Sequence, residues 1–305
     1  MTCGHVADGT NTSTSFIRGV PRRIGIYGTG RLAHALAQAL GGNDRELQLV
    51  LSGRDLAQVQ ALARQTGARI STPEELPEQS DLLLLLIADD AIADVAAELA
   101  ALPGEPPDSV VHCSGAVELA VLRPFADRGS RTAAWHPLWC FPRGGSIQPC
   151  TWTVAGGEGS LATDLVELTR CLGGSPRIMT GGDRAGYHAA AVLASNLPMA
   201  LLARACDLLV DNGFTRDEAV EALLPLARSA YAAVEQAGLP AGITGPAVRG
   251  DIGTLRRHLD ALTDRPQTEL LYRLLSLTVL DLVRSPEQDA HRELRQMLLP
   301  ERPHH

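Results

Sequence analysis

Three polar side chains interrupt the aliphatic stretch GYHAAAVLASNLPMALL, residues 186–202: His188, Ser195 and Asn196, followed by Pro198. On a helix, residues seven apart fall on nearly one face, so His188 and Ser195 line up two turns apart with Asn196 beside them. Pro198 removes its own N–H and clashes with the preceding turn, which predicts a kink that leaves the carbonyl of Ala194 without its helical partner. A kinked core helix could spend these groups on hydrogen bonds to neighbouring helices. The chemical use is a platform on which His188, or the Ser195–Asn196 pair, gives a hydrogen bond or a proton to a reacting group.

A second set opens the chain's ordered part. RIGIYGTGRLAHALAQAL reads as a strand ending at Tyr27, the turn Gly28-Thr29-Gly30-Arg31-Leu32-Ala33, and a helix. Gly28 permits a tight turn, Gly30 lets a pyrophosphate approach the backbone, and small Ala33 lets helix and strand pack closely. The helix start offers unpaired N–H groups to phosphates. A plain strand–helix turn would also accept the two glycines; the position opening a strand–helix–strand unit favours a dinucleotide. The next strand, LQLVLSGRD, ends on Ser52-Gly53-Arg54, where NAD-binding proteins place an acid on the ribose. A hydroxyl and a guanidinium suit a 2′-phosphate, so NADP(H) is the expected cofactor. The alternative leaves Arg54 solvated and puts Asp55 on the ribose.

Ligands of open parallel sheets bind outside the carboxyl ends of the strands. LIADDAI brings Ala88 and Asp89 there, and VVHCSGA brings His112, Cys113, Ser114 and Gly115, with Ser114 near the expected nicotinamide. His112 and Cys113 are equally at home as strand-end packing. His136, in AAWHPLWCFPRGG, lines a substrate cleft or makes a turn with Pro137. Downstream, ITGPAVRGDIGTLRRHL places Arg249, Asp251 and Thr254 where a helix begins. Arg249 could clamp a carboxylate or phosphate or pair with Asp251, and Asp251 could simply cap the helix.

The elements that must position these residues follow from periodicity. From Arg23 to about Ala155, apolar runs alternate with alanine-rich helical segments, which predicts an α/β domain with a parallel sheet and helices on both faces. From Asp183 to about Leu299 nearly every segment has helical period. The expected organisation is a disordered polar tail over residues 1–20, a nucleotide-binding domain over 21–180 and an all-helical domain over 181–305. LLLLLI at 82–87 is a third of a membrane span and reads as a buried strand.

The chain has 305 residues, 45% hydrophobic and 20% charged, with a net charge of −8. That charge argues against nucleic-acid partners. Six scattered cysteines without a C-x-x-C pair suggest neither a disulfide framework nor a metal site and fit a reduced cytoplasmic setting. Small molecules are the expected partners, with no membrane.

GIYGTGRLAHAL, VVHCSGA, HPLWCF, DRAGYHAAAVLASNLPMAL and ITGPAVRGDIGTLRRHLDAL together resemble a bacterial family that pairs a Rossmann-like NADP-binding domain with a C-terminal helical domain of unknown function. The resemblance runs from about Arg23 to Leu299. It implies a doubly wound parallel sheet followed by a helical domain of the 6-phosphogluconate-dehydrogenase C-terminal type. More distantly, Ala194–Pro198 and Thr244–Thr254 resemble segments of pyrroline-5-carboxylate reductase, whose helical domains interlock in dimers. The β-hydroxyacid dehydrogenases and ketopantoate reductase are also similar, but their general-acid lysine has no counterpart: Val192 stands four residues before Asn196.

Together these features predict an NADPH-dependent reductase of a small carbonyl or cyclic imine bearing a carboxylate, with Ser114, His188, Ser195 and Asn196 around the reacting carbon. A non-catalytic NADP-binding sensor is the alternative. The apolar helical domain predicts a homodimer.

Overall fold

The computed structural model describes residues 22–41, 47–283 and 289–299; the expected N-terminal tail lies outside them. Strands β1 (Arg23–Tyr27), β2 (Gln48–Ser52), β3 (Arg69–Ile70), β4 (Leu82–Leu85), β5 (Ser109–His112), β6 (Arg131–Pro137), β7 (Thr151–Gly156) and β8 (Ser175–Met179) form one sheet in the order β3-β2-β1-β4-β5-β6-β7-β8. The order reverses at β1, next to β4, which makes the crevice beyond their carboxyl ends a topological switch point.

Neighbouring strands are parallel except β6 and β7, which run antiparallel. The expected parallel sheet is found, with one antiparallel pair that has a local reason. A parallel return requires a crossover, usually a helix, and residues 138–150 form none. β8 went unread because it alternates poorly and carries Pro176, a residue tolerated on a sheet edge.

β4 shows why the sheet is two-sided. All four of its leucines are buried; Leu82 and Leu84 join one apolar cluster, Leu83 and Leu85 the other. The first cluster includes residues of α1 (Arg31–Leu40), α2 (Leu56–Thr66) and α5 (Leu161–Cys171), the second those of α3 (Ile92–Ala100) and α4 (Arg123–Ala126). In the first, Trp135 stacks on Trp152 across β6 and β7, ring centroids 4.2 Å apart, and Trp135 Nε1 donates to Thr169 Oγ1 at 2.8 Å. Side chains alternate along a strand, so the residues that follow, His136 and Thr153, turn to the opposite face. They are register partners.

The remaining helices are α6 (Arg184–Ala194), α7 (Asn196–Asp211), α8 (Arg216–Ala237), α9 (Pro246–Arg249), α10 (Ile252–Leu262), α11 (Pro266–Val283) and α12 (Asp289–Leu298). The chain separates into two compact units, Met1–Ser195 and Asn196–His305. Helical sequence does begin near residue 183, but α6 belongs with the sheet, so the structural boundary falls fifteen residues after the one expected at 180. Arg184 fixes it there: Nε donates to the carbonyl of Val117 at 2.7 Å and Nη2 to that of Ser114.

Pro198 acts differently from the expected kink. The helix stops at Ala194, Ser195 adopts φ −123° and ψ −71°, and α7 begins at Asn196. Pro198 thus sits in the first turn of α7, where a missing N–H leaves no intrahelical bond unmade. In the second unit, a small core of Leu255, Leu259, Leu280, Leu294 and Leu298 joins α10, α11 and α12.

Asp183 caps α6 by accepting from the N–H groups of Ala185 and Gly186 at 2.9 and 3.0 Å. Asp183→Ala should cost about 1 kcal/mol and lower the urea midpoint of the sheet unit. An unchanged midpoint would mean that the cap contributes nothing to the seating of α6.

Candidate functional site

At the switch point lies a cleft of about 530 Å³, within the usual range for small-molecule sites. Its walls include Gly28, Thr29, Gly30, Arg31 and Leu32 of the first turn, Gly53 and Arg54 after β2, Ala88 and Asp89 after β4, and Cys113 and Ser114 after β5. Gly28 has φ +131°, its N–H donates to the Ser52 carbonyl at 2.9 Å, and a Cβ there would collide with the carbonyl of Leu86. Gly30 differs: a Cβ on it would meet only the Leu86 carbonyl oxygen, at 3.9 Å. Glycine here is not demanded by the protein's own packing. It keeps space open before the start of α1, which has no side-chain cap and no acid in its first turn. That is the geometry an anionic pyrophosphate fits.

Two residues expected to touch the cofactor stand behind the wall. Ala33 is fully buried and packs α1 against the sheet. Ser52 is 1% exposed and does not line the cleft; its carbonyl holds Gly28 and its hydroxyl, expected at a 2′-phosphate, is buried without a hydrogen-bond partner. The reason is parity: Ser52 is the last residue of β2, and the chain turns outward only at Gly53. Arg54 is exposed at the cleft. Asp55 accepts from the N–H of Gln58 at 3.1 Å and from its side-chain amide at 2.8 Å, capping α2.

Next to Ser114, the last residue of the cleft wall, Gly115 is flanked by two histidines. A Cβ on Gly115 would stand 2.5 Å from His188 Nδ1 and 2.9 Å from His136 Nε2, so the missing side chain lets two imidazoles close on one spot. Their rings meet edge to face, centroids 5.8 Å apart. Tyr187 Oη lies 2.8 Å from His136 Nδ1 and 2.9 Å from Thr153 Oγ1. Ser114 Oγ accepts from the N–H groups of Ala116 and Val117 at 3.1 and 3.0 Å, shaping the turn that carries Gly115.

Burial is the main cause that holds His112, His136 and Tyr187 uncharged. Burial, then His188 and Arg184, push His136 down to about 4 against the opposing pull of Asp89. Burial, Arg184 and His136 push His112 down to about 4. Burial raises the Tyr187 phenol, partly offset by Thr153 and Arg184, and raises the Cys113 thiol, which stays neutral. Arg184 is 4% exposed, and desolvation lowers it against Glu118, Tyr187 and Asp89.

Of the expected reacting residues, Ser114 and His188 come together at Gly115, where His136, expected to line a substrate cleft or make a turn, joins them. Ser195 ends α6, its hydroxyl donating to the Ala191 carbonyl at 2.7 Å. Asn196, Arg249, Asp251 and Thr254 belong to the second unit. There Asp251 takes the capping alternative: Oδ1 accepts from the Thr254 N–H at 3.0 Å, a bond that holds its carboxyl below the usual range. Thr254 Oγ1 accepts from Arg257 at 2.9 Å. Arg184, Tyr187 and Thr153 were missed by the sequence reading. The available signal was the cap at Asp183, which sets the register of Arg184, Tyr187 and His188 on one helix.

Comparison with known proteins divides the chain earlier, between residues 137 and 150, than the two compact units do. Residues 8–137 match the Rossmann-like domain, and residues 150–279 match a domain of unknown function, DUF2520. The chain is a Rossmann-like domain followed by a DUF2520 domain. His136 lies at the end of the first and Thr153 and Tyr187 within the second, so the bond from Tyr187 to His136 joins the two family segments. A Bacteroides fragilis protein provisionally named an NADP oxidoreductase has a similar fold (TM-score 0.68, 23% identity, covering 85% of this chain and 97% of that one). So does a Thermotoga maritima protein (TM-score 0.67, 19% identity, 87% and 100%). The Plasmodium falciparum pyrroline carboxylate reductase solved with NADP bound is also similar (TM-score 0.58, 15% identity, 91% and 98%). No curated protein sequence matches the chain.

The neutral histidines carry a pH dependence. In the unfolded chain they protonate near 6.5, whereas His112 and His136 of the folded protein resist down to about 4. Between those values the unfolded state binds more protons, so stability is full above about 6.5 and falls as the pH drops toward 4. Urea midpoints should decline through that window, less steeply in His112→Leu if that variant folds; a flat profile would contradict the assignment.

Proposed function

We propose that this Rossmann-like/DUF2520 protein is an NADPH-dependent reductase of a small compound with a C=O or cyclic C=N bond, one that also bears a carboxylate. The observation that carries the reading is continuity. One cleft begins at a glycine turn open to phosphates and ends at Ser114, beside two convergent imidazoles. NADPH, when bound, supplies the hydride. Gly30 and the start of α1 would hold its pyrophosphate, and Arg54 its 2′-phosphate, since Asp55 is committed to the α2 cap. The nicotinamide end would reach Ser114, with His136 and His188 over the group to be reduced. Buried Arg184 bonds to two carbonyls, and among the described residues it forms no ion pair. Its positive potential favours an anionic substrate. The folds that pyrroline carboxylate reductase and the Bacteroides protein share with this chain support the class of reaction.

The test is NADPH oxidation against a panel of 2-oxo acids and cyclic imines, with Gly30→Val as control. Turnover by the wild type and loss of NADPH binding by a folded Gly30→Val are expected. Silence across the panel with NADPH binding intact would favour a non-catalytic NADP-binding sensor. Arg54→Ala should weaken NADPH by roughly 2–4 kcal/mol, two charge-assisted hydrogen bonds, and leave NADH nearly unchanged. Equal wild-type affinity for the two cofactors would contradict the 2′-phosphate role.

The working unit is proposed to be a homodimer through the second unit. The sixteen residues of α7 bury only Cys206 fully and the twenty-two of α8 only Ala219, while Leu197, Met199, Leu226, Tyr231, Leu271 and Leu274 are exposed. A second copy would cover such a surface as obligate interfaces do. By length and composition Arg184–Asp211 could also cross a membrane, but Arg184 and Tyr187 are tied to the turn after β5 and to β6 and β7. A soluble cytoplasmic protein is therefore the reading. Light scattering at micromolar concentration should give the mass of two chains; the mass of one would refute the dimer.

A further inference from the structure

The hydrogen bonds around Tyr187 leave its phenol one proton to place between two neighbours. His136 Nδ1 is 2.8 Å away and Thr153 Oγ1 2.9 Å. A phenol is a strong donor, and an imidazole sp² nitrogen accepts better than a hydroxyl. Thr153 has its own proton to give. Its other acceptor, the His136 carbonyl, is 3.4 Å away, beyond a normal O–H···O bond. The arrangement that satisfies all three runs from Thr153 to Tyr187 and from Tyr187 to His136 Nδ1. In such a chain each bond strengthens the next. With Nδ1 accepting, the ring's proton is on Nε2.

That nitrogen lies beside Gly115, the residue that follows Ser114 of the cleft wall, 2.9 Å from the point where a Gly115 Cβ would be. His188 Nδ1 lies 2.5 Å from the same point and is buried without a hydrogen-bond partner. His136 is therefore not donating to it. A buried ring nitrogen left unsatisfied one residue from a cleft wall marks a place where a ligand atom could complete the bonding.

We propose that His136 donates the hydrogen bond from Nε2 to the electronegative atom of the substrate's double bond, and that Tyr187 is the positioning residue that keeps the proton on that nitrogen. The proposal rests on the reading of the cleft as a cofactor and substrate site. It gives the donor role to an uncharged imidazole. His136 is faced by Arg184, His188, His112 and Tyr187, with Asp89 the opposing charge; burial, His188 and Arg184 hold it neutral down to about 4. An imidazole in that state polarises a double bond at any pH near neutrality without first taking up a proton.

The experiment is nitrogen NMR of the full-length protein labelled in its histidine rings, with His136 assigned by the signal lost in His136→Gln. The wild type should show His136 with Nδ1 unprotonated and Nε2 protonated. Tyr187→Phe should convert that signal to a mixture of tautomers, and Thr153→Val, which keeps the phenol but removes its donor, should shift it in the same direction by less. A wild-type His136 protonated on Nδ1 overturns the proposal, and so does a Tyr187→Phe spectrum identical to the wild type. Because the wild-type spectrum alone decides the tautomer, a variant that fails to fold does not rescue the idea. NADPH added to the same samples tests the cofactor reading separately: no binding, with the tautomer as expected, counts against that reading and not against the role of Tyr187.

Discussion

A side chain on Gly115 would have nowhere to go. Its Cβ would stand against His188 on one helix and His136 on one strand, and that exclusion lets α6 settle onto the carboxyl end of the sheet. The rest follows from this closeness. Arg184 can reach back to the Ser114 and Val117 carbonyls only with α6 in place, and Tyr187 can bridge the His136–Thr153 pair only from the same helix. One helix register, set by the cap at Asp183, brings a guanidinium, a phenol and an imidazole to the edge of one turn.

The energetics of that edge are those of a desolvated guanidinium that feels Glu118 and Asp89 but, among the described residues, forms no ion pair with them. A desolvated guanidinium held by carbonyls is costly, and burial, with Arg184 adding to it, suppresses protonation of His112 and His136. The result is a buried guanidinium beside two imidazoles, His112 and His136, that stay neutral down to about 4. The apolar ledger of the sheet unit, two clusters and a tryptophan stack, supplies the stability that such an edge consumes.

Much of this was legible in the sequence because local rules govern it. The turn Gly28-x-Gly30, the buried leucines of β4 and the residues at strand ends are read from spacing and parity alone, and the glycine turn, Ala88, Asp89 and Ser114 do share one cleft. What escaped depends on contacts distant in sequence. Whether His136 faces a cleft or makes a turn is decided by its partner Thr153 across an antiparallel pair that no periodicity announces. Ser52 was misjudged by one residue, the interval that swaps the faces of a strand. Pro198 was read as a kink because the break before it comes from backbone torsion at Ser195, a residue without a strong breaking preference. Tyr187 looked like an ordinary aromatic until its phenol found two partners.

The proposed function depends most on a bound nicotinamide reaching past Ser114 in the cleft wall to His136 and His188. The most direct measurement follows the ring signals of these two histidines during titration with NADPH and, separately, with adenosine 2′,5′-bisphosphate, which carries the phosphate end and no nicotinamide. NADPH should shift both rings at saturation while the bisphosphate, bound at the far end, leaves them in place. Saturating NADPH that moves neither ring would contradict the account.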